Sequence, residues 1–174
     1  MRKIYLFPTE CEASPFRHLA PEAEIVISGV GMAAVAASVV ASVVADGDMC
    51  DTLIILAGVA GAYGDMAVCS VCEVESECCV ELPECFREHH RATYCTAQLP
   101  TVASNTVHRT GAEAAGADIE NMEGAALYAM AERLGLCATQ IRAISNHVGD
   151  AKSLWRIDEA AEALARELVK INNL

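Results

Sequence analysis

The stretch TLIILAG, residues 52–58, decides the fold class. A strand with one face in water alternates apolar and polar side chains, whereas an unbroken aliphatic run requires both faces to be buried. It continues into AGVAGAYG (57–64), where glycines end the aliphatic pattern. Similar patterns predict strands over 3–7, 24–28, 68–75 and 139–145, and helices over 32–45, 122–134 and 157–171. Strands interleaved with helices imply an α/β fold with a largely parallel or mixed sheet. In the last helix Ile157, Ala160, Ala161, Leu164, Leu168 and Ile171 form one apolar stripe with charges opposite, so it packs on one side only. Residues 83–100 carry few aliphatics and many charged or histidine positions, the composition of a connecting loop.

Two glycine turns follow strands, SGVGM at 28–32 and AGVAGAYG at 57–64. In open α/β sheets ligands sit beyond the carboxyl ends of strands, so both turns are candidate pocket walls. Gly29 with Gly31, and Gly58 with Gly61, each lack the third glycine of a dinucleotide fingerprint, and no GxxxxGK[ST] occurs. Tight packing is the alternative explanation for such glycine pairs.

A chain of 174 residues without internal repeats fits one domain. Its 24 acidic and 12 basic residues, a formal charge of −12, repel phosphate backbones and anionic lipids, which argues against nucleic acid and membrane as partners. The opening MRKIYLFPTEC has an apolar run of four residues, short of the about 7 to 15 of a secretory core, so a cytoplasmic location is expected. Residues 32–45 fall short of the roughly 20 needed to span a bilayer and include Ser38 and Ser42, which suits a buried helix. The nine cysteines are an odd number without an export signal, an argument against disulfides. Cys69 and Cys72 form a CxxC, followed by Cys78, Cys79, Cys85, His89, His90 and Cys95, residue types that could bind metal. The strand-like alternation of CSVCEVESECCVEL would put positions i and i+3 on opposite faces, and no glycine or proline supplies a turn. These cysteines are therefore read as small core hydrophobes, with no metal site.

Four groups fall at element boundaries where a pocket would form. Glu12 follows the first strand, Glu123 opens the helix of ENMEGAALYAMAERLG (120–135) beside Met122 and just after Glu120, and Arg142 and Asn146 belong to TQIRAISN. Each has a local explanation. Glu123 would gain roughly 0.3 to 1 kcal/mol from the helix dipole, Glu12 could be a solvated loop charge, Arg142 a structural ion pair, and Asn146 a strand-end cap. Arg142 stands out because neighbouring Ile141 and Ile144 imply burial, and a buried guanidinium needs a carboxylate partner.

ENMEGAALYAMAERLG, followed by QIRAISNHVGD and Trp155, resembles the purine nucleoside phosphorylase and nucleosidase superfamily, and within it the futalosine hydrolases. PTECEA, SGVGMAA, AGVAGAYGD and SNTVH are similar to that family in the same order, so the resemblance covers most of the chain. It implies a three-layer α/β/α sandwich around a central mixed, largely parallel sheet. One domain would span residues 1–174, shortened around 82–101, where the family builds part of its sheet and base pocket. The implied reaction is hydrolysis of the N-glycosidic bond of a purine nucleoside, futalosine giving hypoxanthine and dehypoxanthine futalosine in menaquinone biosynthesis. A homodimer without metal or organic cofactor is implied as well. By matched position, Glu123 meets the ribose hydroxyls with Met122 against the sugar face, and Glu12 orients and deprotonates the attacking water. Arg142 helps to hold that water and the carboxylates, and Asn146 donates a hydrogen bond to N7 or O6 of the base. Val59, Ala60, Gly61, Asn121 and Met122 line the substrate. The alternatives are a methylthioadenosine/adenosylhomocysteine nucleosidase, which would prefer aspartate in place of Asn146, a phosphorylase, which would need cations beside the glycine turns, and a catalytically silent nucleoside-binding protein.

Overall fold

The computed structural model describes residues 1–44 and 51–173. In chain order the elements are β1 (Arg2–Phe7), α1 (Glu10–Leu19), β2 (Glu24–Ile27), α2 (Met32–Val39) with a π-helical turn (Val40–Val44), and β3 (Thr52–Ala62). There follow β4 (Val71–Cys79), β5 (His89–Arg91), β6 (Thr101–Thr106), β7 (Ile119–Asn121), α3 (Gly124–Leu134), β8 (Cys137–His147) and α4 (Ile157–Asn172). All these strands join one mixed sheet. β3 runs parallel to β1 on one side and to β8 on the other, while β4 runs antiparallel to β8 and parallel to β6. β7 pairs parallel with β6 and returns antiparallel to β3 at Gly61 and Ala62. The ladder thus closes through β3, β8, β4, β6 and β7, and β1 with β2 forms an open wing.

The aliphatic run in β3 has the double burial expected of it. Leu53, Ile55 and Ala57 join a cluster with Tyr5, Phe7, Phe16 of α1, and Leu164 and Leu168 of α4. Ile54 and Leu56 face the other way, into a cluster with Val35 and Val39 of α2 and Leu127 and Tyr128 of α3. The sheet therefore lies between two helical layers. β3 also runs on past the aliphatic run, because Gly58 to Ala62 still pair with β8.

Several expectations are corrected. The strand predicted over 68–75 starts at Val71 and extends to Cys79. Val68 and Cys69 form a turn in which Ser70 N donates to Ala67 O (3.0 Å) and Cys69 adopts φ 68°. That left-handed conformation costs a non-glycine residue about 1–2 kcal/mol, so a turn forms here without the glycine or proline that usually signals one. Cys72, Cys78 and Cys79 are buried, but Cys85 and Cys95 are exposed and do not act as core hydrophobes. The described cysteines are free, and among the described residues no three His, Cys, Asp or Glu side chains are grouped to hold a metal. No described helix is long and apolar enough to cross a membrane.

α1 was not expected. Thr9 is its N-cap and Glu12 its third residue, the S/T-x-x-E spacing of a capping box, but Pro15 inside the helix disguises the signal. β6 and β7 also escape pattern reading. β6 is polar because Ser104, Asn105 and Thr106 point into buried hydrogen bonds, and β7 has only three residues. α3 begins at Gly124, which makes Glu123 its N-cap residue. The end of the helix expected over 32–45 lies outside the described residues. Between β4 and β6 there is only a 3-10 turn, Glu84–Phe86, and the short β5.

Phe16 is fully buried, with its ring centroid 4.7 Å from that of Tyr5 and 6.1 Å from that of Phe7. Phe16→Ala removes the central ring of that group and is expected to destabilise the fold by about 3–5 kcal/mol. A urea titration checks this as a lower midpoint at unchanged slope, and a midpoint near wild type would mean that α1 is not anchored through this ring.

Candidate active site

One cavity opens where several element ends converge. It is lined by Pro8 and Glu12 from the β1–α1 junction, Val30 from the glycine turn after β2, and Val59, Ala60 and Gly61 from β3. Val107 and Thr110 follow β6, Glu120 to Glu123 span the β7–α3 junction, and Ser145, Asn146 and Trp155 close the remaining side. Of the sequence-derived site residues, Glu12, Val59, Ala60, Gly61, Asn121, Met122, Glu123 and Asn146 all lie on this wall. Arg142 lies behind it, fully buried.

Glu12 is clamped at both oxygens. Thr9 Oγ1 donates to Oε2 (2.6 Å) and Val59 N donates to Oε1 (2.9 Å), while Glu12 N donates back to Thr9 Oγ1 (3.3 Å). The cap that starts α1 thus also fixes a carboxylate at the cavity. Glu123 is held from three directions. Gly31 N donates to its Oε1 (3.0 Å), and Met122 N and Arg142 Nη2 donate to its Oε2 (both 3.3 Å). The first glycine turn is therefore a pocket wall that supplies a backbone donor.

Arg142 Nη2 also reaches Asn121 Oδ1 (3.0 Å) and Gln140 Oε1 (3.2 Å), whereas its Nε and Nη1 have no hydrogen-bond partner among the described residues. A Cβ built on Gly58 would lie 2.7 Å from Arg142 Nη1 and 3.0 Å from Glu12 Oε1. Glycine at this point of β3 is what lets the guanidinium and the Glu12 carboxylate approach the same strand. The arrangement is two buried carboxylates, Glu12 and Glu123, with an arginine between and behind them and apolar walls from Val30, Val59, Met122 and Trp155.

Asn121 organises the floor. Its Oδ1 accepts from Glu123 N (2.8 Å), Gly124 N (2.7 Å) and Arg142 Nη2, which satisfies the opening amides of α3. Its Nδ2 donates to Glu77 Oε1 (2.5 Å) and Ser104 Oγ (2.8 Å). Glu77 is buried on β4 and accepts further from Thr106 Oγ1 (2.8 Å) and Gln140 Nε2 (3.2 Å). Burial pushes the Glu77 carboxyl above its ordinary range, opposed by the Arg142 charge and these hydrogen bonds. Sequence reading missed Glu77 because CSVCEVESECCVEL reads as surface-like alternation, and only the helix packed across β4 buries that carboxylate.

Asn146 reaches the cavity through a β-bulge. The β3–β8 register slips between Ala60 and Gly61, which leaves Ser145 unpaired and lets both Ser145 and Asn146 line the wall. Asn146 Nδ2 donates to His147 O (3.0 Å) and Oδ1 accepts from Ser145 Oγ (2.7 Å), which uses one of the two amide hydrogens.

Residues 68–172 match the model of the phosphorylase superfamily, a span from before β4 to the end of α4. The chain belongs to the phosphorylase superfamily. The span includes Asn121, Met122, Glu123, Arg142 and Asn146. A curated relative, the futalosine hydrolase of Thermus thermophilus, is 44% identical over 57 residues, which is 32% of this chain and 25% of that protein's length. Among solved structures, the futalosine hydrolase of Helicobacter pylori aligns over 99% of this chain and 98% of its own, at 14% identity and a TM-score of 0.84. The 5′-methylthioadenosine nucleosidase of Arabidopsis thaliana aligns over 98% and 94%, at 16% identity and a TM-score of 0.84. The two structural alignments show that the shared fold extends over β1, α1 and the glycine turns as well.

Among the described glycines, Gly124 leaves the least room for a side chain. A Cβ there would fall 2.5 Å from both terminal atoms of the Gln140 amide and closer still to Glu77 Oε1. Gly124→Ala must push apart the Glu77–Asn121–Gln140 network, with an expected loss of about 1–3 kcal/mol. Thermal unfolding of the purified variant checks it, and an unchanged Tm would show that α3 can shift freely against β4.

Proposed function

We propose that this chain is a nucleosidase that hydrolyses the N-glycosidic bond of a purine nucleoside, with futalosine as substrate and hypoxanthine as leaving base. The observation that carries the reading is the pair of buried carboxylates, Glu12 and Glu123, set near Arg142 in a cavity with apolar walls from Val30, Val59, Met122 and Trp155. Cleavage of an N-glycosidic bond proceeds through an oxocarbenium-like state, in which positive charge develops on the ribose ring. Glu123 at the ribose hydroxyls interacts more strongly with that state than with the neutral sugar, which is the requirement for lowering the barrier. Met122 packs on the sugar face.

In the hydrolytic step the oxygen of water bonds to C1′ while the C1′–N9 bond breaks and its electron pair leaves with the base. The proton from water passes to Glu12, which returns it to solvent, while the base leaves with the electron pair and takes a proton from solvent water at a ring nitrogen. Glu12 suits the water because its oxygens are oriented by Thr9 and by Val59 N. Arg142 Nη1, without a hydrogen-bond partner among the described residues and facing Gly58 beside Glu12, suits the same water as a donor. Asn146 offers its remaining amide hydrogen to N7 or O6, which supports a 6-oxopurine. The cavity lining includes three glutamates and no lysine or arginine among the described residues, a setting that repels phosphate and favours water as the acceptor.

The same reading carries a place in menaquinone biosynthesis, a cytoplasmic location and a homodimer. Ile27, Val30 and Val40 are exposed around α2, and Val30 also lines the cavity, so a second copy covering that face would bury apolar surface beside the site.

Incubation with a panel of purine nucleosides, with and without phosphate, is expected to release free base without phosphate, hypoxanthine before adenine, as read by chromatography. Binding without release of any base would leave a silent nucleoside-binding protein.

Two variants separate the carboxylate roles. Glu123→Gln is expected to lower kcat by roughly 100- to 1000-fold, the scale of losing one transition-state electrostatic contact. Glu12→Ala should abolish turnover while nucleoside affinity stays within a few-fold, because the group that accepts the water proton acts on chemistry more than on ground-state binding. Parallel loss of binding and turnover in Glu12→Ala would assign Glu12 to substrate contact instead.

A further inference from the structure

Glu77 is a buried carboxylate on β4 that the proposed hydrolysis does not use and that does not line the cavity. Its Oε1 accepts from Asn121 Nδ2 (2.5 Å) and Gln140 Nε2 (3.2 Å), and its Oε2 from Thr106 Oγ1 (2.8 Å). The polarity of these partners is fixed by third groups. Asn121 must turn its oxygen to the amides of Glu123 and Gly124, and Gln140 must turn its oxygen to Arg142, because backbone amides and a guanidinium only donate. Both NH2 groups therefore point at Glu77. Thr106 Oγ1 accepts from Ala125 N (2.8 Å), and its hydroxyl hydrogen has no acceptor other than Glu77 among the described residues.

This pattern suits an ionised Glu77. A proton on it could be donated only to Thr106 Oγ1 and would strand the hydrogen of that hydroxyl. Three donors favour the anion, as does the N-terminus of α3, since a Cβ on Gly124 would overlap Glu77 Oε1. The charged and titratable groups that face it are Arg142 on β8, Tyr128 on α3 and Cys78 on β4. Burial pushes the Tyr128 phenol and the Cys78 thiol up, so both stay neutral. His90, its neighbour on β5, turns to Glu132 instead.

Arg142 is the cation that answers this anion, at one remove. The two amides that donate to Glu77 also accept from Arg142 Nη2, at 3.0 and 3.2 Å, so each lies head to tail between the charges. Glu123 Oε2 is the most distant of the three Nη2 acceptors, at 3.3 Å, and meets one guanidinium nitrogen rather than a bidentate pair. A carboxylate fully neutralised by its own arginine would have little field left for a developing ribosyl cation. We propose that Glu77 is a positioning residue, an ionised second counter-ion of Arg142 relayed through Asn121 and Gln140, which leaves the negative charge of Glu123 available to the ribose. The role of Glu123 in this rests on the nucleosidase reading.

Two measurements on the full chain test it without requiring turnover. In carbon-13 NMR of the glutamate carboxyls, Glu77 should be ionised at neutral pH. In calorimetry, the probes are imino-ribitol, in which a protonated nitrogen replaces the ring oxygen, and the neutral anhydro-ribitol. Wild type should prefer the cation by at least about tenfold. Glu77→Gln can keep its oxygen toward Asn121 and Gln140 and its NH2 toward Thr106, so it removes the charge at nearly constant shape, and the preference should fall about tenfold. Glu77→Asp keeps the charge and should retain most of the preference. Gln140→Met cuts one of the two relays, should also lower the preference, and decides the matter if Glu77→Gln does not fold. A purely structural Glu77 would lower both affinities together in the Gln and Asp variants alike, which overturns the proposal. A protonated Glu77 at neutral pH, or a wild type indifferent to the cation, overturns it as well. Failure of the nucleosidase reading shows separately, as no base released from any nucleoside while the preference for the cation and its loss in Glu77→Gln still hold.

Discussion

The fully buried guanidinium of Arg142 is the constraint around which the rest of the site is arranged. A charge in that position is tolerable only with compensating partners. One of its nitrogens engages the Glu123 carboxylate, the Asn121 carbonyl and the Gln140 carbonyl together. Each of those acceptors has a second commitment. Asn121 also receives the first amides of α3, Gln140 also meets Glu77, and Glu123 also receives Gly31 N. Through one side chain on β8, the start of α3, the centre of β4 and the turn after β2 are bound into a single unit. Site geometry and fold stability are thus the same set of contacts.

Three glycines make that density possible, and for one reason. Gly58, Gly61 and Gly124 each stand where a methyl group would meet a polar side chain: the Arg142 guanidinium, the Asn146 amide and the Glu77 carboxylate. Their role is close approach rather than unusual backbone angles. The bulge at Ser145 complements them, since it lets two consecutive side chains of β8 reach the wall that regular alternation would divide between faces. Glu12 shows the same economy of parts, with one threonine serving both as helix cap and as clamp for the carboxylate.

The distribution of charge also bears on the choice between attack by water and by phosphate. With Arg142 set behind the wall and engaged by Glu123, its field is largely compensated, and the surface facing a ligand is acidic and apolar. A phosphate would meet three carboxylates there. Water would meet the Glu12 carboxylate, clamped by Thr9 and Val59 N, as an acceptor for its proton.

The sequence by itself determined the architecture wherever burial leaves a periodic trace. TLIILAG specified a strand covered on both faces, the stripe from Ile157 to Ile171 specified a one-sided helix, and MEGAA with RAISN specified the superfamily. Glu12, Glu123, Arg142 and Asn146 were legible because charge or amide at the ends of apolar elements is locally out of place. Only the tertiary structure decided the elements whose side chains are buried but polar. β6 and β7 carry Ser104, Asn105, Thr106 and Glu120, whose burial leaves no local period and shows only with the partners that satisfy them. α1 was hidden by Pro15, the turn at Cys69 by its lack of glycine, and Glu77 by an alternation that mimics an exposed strand. The physical reason is common to all of these: hydrophobic burial is written in local period, whereas a buried hydrogen bond depends on a partner far along the chain, 44 residues away for Glu77 and Asn121.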